Sequence, residues 1–188
     1  MTLLHLDSSI TGDGSVSRQL SAAIVAKLRA ADPHIEVSYR DLVADPIAHL
    51  TLGHLPATSA ESRALLDQFL EADTIVIGVP MYNFTLPSQL KAWIDRILIA
   101  GETFAYGPDG PKGLAGGKRV IIALSRGGLY GAGSARAAFE HAETYLNVVF
   151  GFIGITPEIV LAEGVAIGPD QRAQALDGAA GAIERLAA

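Results

Sequence analysis

The chain contains no cysteine, which excludes a disulfide framework, thiolate catalysis and Cys-ligated zinc or iron–sulfur centres. Any redox chemistry therefore has to be carried by a cofactor. Basic residues are few: 14 Lys and Arg stand against 20 Asp and Glu, for a net charge of −6 and a pI near 5.3. They are scattered singly, whereas neutralising nucleic-acid phosphates needs clusters, so no nucleic-acid partner is expected. No apolar run approaches the ~20 residues needed to span a bilayer. The amino terminus opens on a strand-like segment without a charged n-region or long apolar h-region, and the expectation is a cytoplasmic protein without a signal peptide or membrane association. Neither G-x-x-x-x-G-K-[ST] nor G-x-G-x-x-G occurs, which counts against a P-loop NTPase and a conventional dinucleotide fold. The five histidines show no ligand spacing: His49 and His54 fall in an irregular segment, His5 in a strand and His141 in a helix, so no metal site is expected.

What is present is an alternation of strand-like and helix-like runs. With 188 residues and 49% hydrophobic content, the chain suits one well-buried domain, residues 1–188. Strands are expected at about 2–7, 35–40, 74–79, 118–125 and 155–161. Between them, apolar spacing predicts five helices: around Leu20, Ile24 and Leu28; Leu65, Leu66 and Phe69; Leu90, Trp93, Ile94, Ile97 and Leu98; Ala138, Ala142, Tyr145 and Val149; and Leu176, Ala180 and Ile183. Pro87 suits a first helical turn, and Trp93 is expected to pack on the sheet. The pattern is that of an α/β fold: a doubly wound five-stranded parallel sheet with helices on both faces. Segments 45–59 and 106–117 read as irregular loops.

Three stretches carry ligand-like chemistry at the same end of such a sheet. Met81-Tyr82-Asn83-Phe84 follows the continuous apolar run Thr74–Val79, where open α/β sheets bind ligands. Its rings and amide, with backbone N–H groups freed by a turn, suit a flat heteroaromatic such as a flavin; the same residues would also serve as a strand-to-helix turn covering the sheet. Ser9, Ser15, Val16 and Ser17 lie in a hydroxyl- and Gly-rich loop entering the first helix. Hydroxyls plus a helix amino terminus can hold a phosphate dianion without lysine, although Ser15 or Ser17 could equally be a plain N-cap. Ser125-Arg126-Gly127-Gly128 ends the fourth strand, where paired glycines let backbone amides approach a ligand edge.

On these motifs, together with 151–155 and Ala162-Glu163-Gly164, the chain resembles the FMN-dependent NADH:quinone oxidoreductases of the bacterial azoreductase family, which are flavodoxin-like. The resemblance covers nearly the whole chain. It implies a homodimer with one FMN per subunit at the interface, with Tyr106 and Phe150 as partner-supplied walls, and with Phe84, Tyr106 and Phe150 facing the substrate. NADH or NADPH would be the electron donor, and quinones or aromatic azo compounds the acceptors. Donor and acceptor would occupy one position in turn, in a ping-pong cycle. No catalytic side chain is implied beyond possible assistance from Asn83 and Tyr130, since the hydride chemistry is the cofactor's. Two departures from the family stand out: segment 45–59 is shorter than in its best-known members, and Tyr130 stands where several have His. A one-electron flavodoxin-type carrier, a regulatory multimeric flavoprotein and a reductase that releases free reduced flavin remain as alternatives.

Overall fold

The computed structural model describes residues 1–187. Five parallel strands form one sheet in the order β2-β1-β3-β6-β7, where β1 is Thr2–Asp7, β2 Glu36–Asp41, β3 Thr74–Pro80, β6 Arg119–Arg126 and β7 Glu158–Glu163. Helices α1 (Val16–Ala31), α2 (Ala60–Glu71), α3 (Ser88–Ile97), α4 (Ala142–Phe152) and α5 (Pro169–Arg185) cover its two faces. From β1 the chain first adds β2 on one side and then returns to add β3 on the other, so the topological switch point lies between β1 and β3. Ligands of open α/β sheets sit beyond the strands' carboxyl ends at that point.

Side chains of successive strand residues point to opposite faces, and the sheet divides its apolar residues accordingly. Ile75, Ile77 and Val79 of β3, with Val120, Ile122 and Leu124 of β6, pack with Trp93, Phe69 and Leu146 from α3, α2 and α4. Val76, Ile121 and Ala123 face the other way, against Leu20, Ile24 and Leu28 of α1 and Ile183 of α5. Every residue of β3 is buried, which explains its unbroken apolar run. Trp93 packs as expected, with no exposure.

Four expectations require correction. The last strand starts at Glu158, not Ile155. Gly154 adopts φ +91° and closes α4 in a Schellman motif: Ile155 N–H donates to Phe150 O and Gly154 N–H to Gly151 O. Ile155 thus completes a helix cap, and Pro157 has no N–H to extend a ladder backwards. Within 104–113, β4 (Phe104–Gly107) and β5 (Gly110–Gly113) form an antiparallel hairpin where the sequence suggested irregular loop from Tyr106 onward. Two four-residue strands are too short for a visible alternation. Ala138 lies in a 3₁₀ turn at Ala137–Phe139 rather than in a helix, and α4 begins at Ala142. The Glu140 carboxylate sets that start by accepting from the N–H groups of Ala142, Glu143 and Thr144. Pro87 is the cap residue just before α3 rather than part of its first turn.

Candidate active site

Near the carboxyl ends of the strands, Asp7 of β1 pairs in register with Asp41 of β2 and Gly78 of β3, and Pro80 of β3 pairs with Ser125 of β6. The loops that follow β1, β3 and β6 therefore converge, as the sequence pattern predicts.

In the first loop, Ser15 caps α1, its Oγ accepting from Arg18 N–H at 3.3 Å, and it also bonds Ser17 Oγ at 3.1 Å. Capping and ligand chemistry coexist here, because the cap leaves the first-turn N–H groups of Val16 and Ser17 without helical partners and at the positive end of a 16-residue helix. Val16 contributes only backbone, since its side chain is in the core. Ser9 Oγ bonds Thr11 Oγ1 at 3.0 Å and the Tyr82 hydroxyl at 3.1 Å. Such hydroxyl–hydroxyl pairs can rotate their protons toward an incoming acceptor.

The second loop is a tight reversal. Tyr82 and Thr85 exchange both backbone hydrogen bonds, at 2.9 and 3.0 Å, around Asn83 and Phe84, which have φ values of +47° and +72°. Asn tolerates this region; Phe in it is an outlier, and backbone strain of about 1–3 kcal/mol persists only where surroundings over-determine it. Met81 N–H donates to Ser125 O at 2.8 Å and Phe84 O accepts from His141 N–H at 3.0 Å, holding both ends of the turn. Asn83 and Phe84 project into solvent. Phe84 lies 5.3 Å from Phe139 and 6.3 Å from Tyr130, ring centre to ring centre. Phe139 had no distinguishing signal in the sequence.

In the third loop the carbonyls of Arg126, Gly127 and Gly128 accept from Gly164, Val165 and Ala166, fixing the turn from behind. A Cβ on Gly128 would lie 3.1 Å from both Arg136 Nη1 and the Tyr130 ring, so a side chain there would crowd Tyr130 where it folds against the turn. Arg126 does not offer its side chain to a ligand. It is 1% exposed and is held by Glu140, Glu143 and Glu163, while Glu163 also accepts from Tyr130 N–H. Burial pushes the Glu140 carboxyl up, but the N–H donors of Glu143 and Thr144, the Thr144 hydroxyl and Arg126 outweigh it and hold the group below the ordinary glutamate range.

Of the two residues expected as partner-facing walls, Tyr106 lies on the surface and Phe150 does not. Tyr106 is 75% exposed; Phe150 has no exposure and belongs to the core with Leu146 and Val149. Phe150 falls on the buried stripe that Ala142, Leu146 and Val149 define, a stripe readable in the sequence, and so cannot form a wall elsewhere. The aromatic that joins Tyr106 is Phe152, two residues on: Phe104 packs on Tyr106 at 5.5 Å and on Phe152 at 4.7 Å.

The family model described as flavodoxin-like fold matches residues 1–187. The chain belongs to this family. Among its relatives, FMN-dependent NADH:quinone oxidoreductase 2 of Bradyrhizobium diazoefficiens is 59% identical over 201 aligned positions, covering 100% of both chains. An FMN-dependent NADH:quinone oxidoreductase of Methylorubrum populi is 58% identical, also across 100% of both. In three dimensions this flavodoxin-like chain superposes on an azoreductase of Bacillus anthracis with a TM-score of 0.89 at 30% identity, covering 98% and 97% of the two chains. An FMN-dependent NADH-azoreductase of Bacillus anthracis in complex with FMN gives 0.86 at 26% identity over 100% of each. No helix among the described residues is long and apolar enough to cross a membrane.

Proposed function

We propose that this protein is an FMN-dependent NADH:quinone oxidoreductase that also reductively cleaves aromatic azo compounds. One observation carries the reading: at the β1/β3 switch point, hydroxyls and a helix amino terminus suited to a phosphate monoester adjoin a strained turn presenting Asn83 and Phe84 to solvent. Phosphate chemistry and a flat apolar platform side by side describe FMN, and relatives at 58–59% identity bear that cofactor and activity in their names.

Bound FMN would supply the two-electron chemistry. The protein's part is positional. Ser9, Ser15 and Ser17, with the N–H groups of Val16 and Ser17, would hold the phosphate. Asn83 and the backbone of 83–84 and 125–128 would hydrogen-bond the ring edge, where such donors would stabilise negative charge on a reduced ring. Phe84 and Tyr130 would bound the space above the ring and admit one flat molecule at a time, so that NADH or NADPH and the acceptor alternate in a ping-pong order. Tyr130 brings a phenol to that space as a proton carrier. Tyr106, three-quarters exposed on a hairpin, would reach over the flavin of a second copy of the chain, giving a homodimer with one FMN per subunit.

The test is the visible spectrum of the purified protein. Flavin absorption should bleach on anaerobic addition of NADH and return with a quinone, with one FMN per chain. A bound flavin that NADH does not reduce would overturn the reading in favour of a binding role.

A further inference from the structure

Arg18 sits on the first turn of α1, one residue after Ser17, where an arginine is ordinarily expected to grip a phosphate. Its geometry says otherwise. Nε and Nη2 donate to Ser9 O at 3.2 and 2.8 Å. Nη2 and Nη1 donate to the two Asp41 carboxylate oxygens, both at 2.8 Å, and Nη1 also donates to the Tyr39 hydroxyl at 3.2 Å. A guanidinium has five N–H donors in a fixed fork, and these five bonds engage all of them. None is left for a ligand.

The fork joins the end of β2 to the loop that leaves β1. On one side, Asp41 ends β2 and is held by Val43 N–H as well as by Arg18; the Arg18 guanidinium, opposed by burial and helped by the backbone N–H groups of Val43 and Ala44, keeps its carboxyl below the usual aspartate range. On the other side is the carbonyl of Ser9, in the hydroxyl loop. Beneath both lies Asp7, 3% exposed, which accepts from Ser21 Oγ at 2.8 Å and the Tyr39 hydroxyl at 3.2 Å and lies 3.9 Å from Arg18 Nη1. A Cβ on Gly78 would stand 2.3 Å from Asp7 Oδ1, so glycine in the neighbouring strand makes room for this carboxylate. The group is built from four elements and is specified down to a missing methyl.

We infer that Arg18 and Asp41 are positioning residues for the FMN phosphate: by pinning the Ser9 carbonyl from behind, the fork aims the Ser9 hydroxyl and backbone N–H toward the space beside Tyr82, without itself touching the anion. The inference rests on the proposed FMN site. It assigns Arg18 a role through geometry rather than charge, and that distinction can be measured. Lys at position 18 keeps the positive charge but has a compact ammonium that cannot bridge a carbonyl and a carboxylate as a planar fork does. Asn at position 41 releases guanidinium donors while removing a negative charge near the anion.

The experiment compares binding of FMN and of riboflavin, which lacks only the phosphate, by flavin fluorescence quenching to the apo form of the full chain, for wild type, R18K and D41N. Circular dichroism confirms the fold of each; should R18K not fold, D41N carries the test. The expected result is about tenfold weaker FMN binding in both variants, the scale of disturbed charge-assisted hydrogen bonds, with riboflavin binding changed less than about twofold, that is, within a single neutral hydrogen bond. Equal losses for FMN and riboflavin would reduce Arg18 to general structural support and overturn the inference. Unchanged FMN binding in R18K, or tighter binding in D41N, would show that charge acts directly on the phosphate and would overturn it equally. A folded wild type that binds riboflavin as well as FMN would remove the phosphate site itself, and failure to bind either flavin would overturn the proposed function.

Discussion

Around the ends of β1 and β2, the polar side chains Asp7, Arg18, Tyr39 and Asp41 partner one another within a single chain. Around the ends of β3 and β6 the aromatic side chains remain open: Phe84 is 47% exposed and Phe139 50%, and on the β4–β5 hairpin Tyr106 is 75% exposed. Under the proposed function, the phosphate half of the candidate site would be complete within one chain and the ring half would not. A charged ligand group demands donors fixed before it arrives, because each unmade bond in a desolvated site costs heavily. A flat apolar group needs area, and area can come from the ligand and from a second copy of the chain. Phe84 and Phe139, exposed and 5.3 Å apart beside the candidate site, form the kind of apolar surface that a ligand or partner covers.

The widest separation between the two kinds of aromatic is expected in stability. Phe150→Ala should destabilise the fold by about 3–5 kcal/mol, as truncation of a buried Phe does, measurable as a lowered urea midpoint. Tyr106→Ala, at an exposed hairpin position, should change the stability of the isolated chain by less than about 0.5 kcal/mol while lowering turnover. Equal stability losses at the two positions would break the division between core and wall.

At the phosphate end, replacing Ser15 and Ser17 together by Ala should weaken FMN retention by about 1–3 kcal/mol, summed over two hydrogen bonds, with circular dichroism unchanged. Undiminished FMN affinity would leave Ser15 as a helix cap and Ser17 as its hydroxyl partner, with no phosphate role for either. At the ring end the effect should be smaller and of another kind. Phe84→Ala removes a ring-on-ring contact worth about 0.5–1.5 kcal/mol beyond area burial, so selectivity among flat quinones, read from kcat/KM ratios, should change more than FMN affinity does.

The smallest expected effect concerns pH. His5 is buried beside Asp7, Ser21, Tyr39 and Arg18, and burial, only partly offset by the Asp7 charge, lowers its pKa from 6.5. A base whose folded pKa is depressed binds fewer protons folded than unfolded. Its contribution is therefore intact above pH 6.5 and is lost as the pH falls from there through the lowered folded value. Urea unfolding at pH 7.5 and 5.5 should show this decline in wild type and a shallower one in His5→Gln. An identical decline in the variant would assign it to other groups.

Much of this architecture is legible in the chain. Strands buried on both faces write continuous apolar runs, as in Thr74–Val79, and the loops after β1, β3 and β6 carry hydroxyls, rings and glycines that need no tertiary information to notice. The polar bracing behind them is not legible in the same way. Asp7 and Asp41 become neighbours only through strand register, and nothing local separates an arginine that touches phosphate from one whose donors are spent on a carbonyl and a carboxylate. Phe150 illustrates the converse: the stripe of Ala142, Leu146 and Val149 already places it inside, and the helical period outweighs the resemblance that placed it at a wall.

The division into a finished phosphate half and an unfinished ring half is tested most directly by the rate at which NADH bleaches bound FMN, followed anaerobically across a dilution series with molecular mass determined at each concentration. As dimers dissociate, FMN retention and the bleaching rate per chain should fall together, because the ring half depends on association. A demonstrably monomeric species that keeps its flavin and bleaches at an undiminished rate would contradict the account.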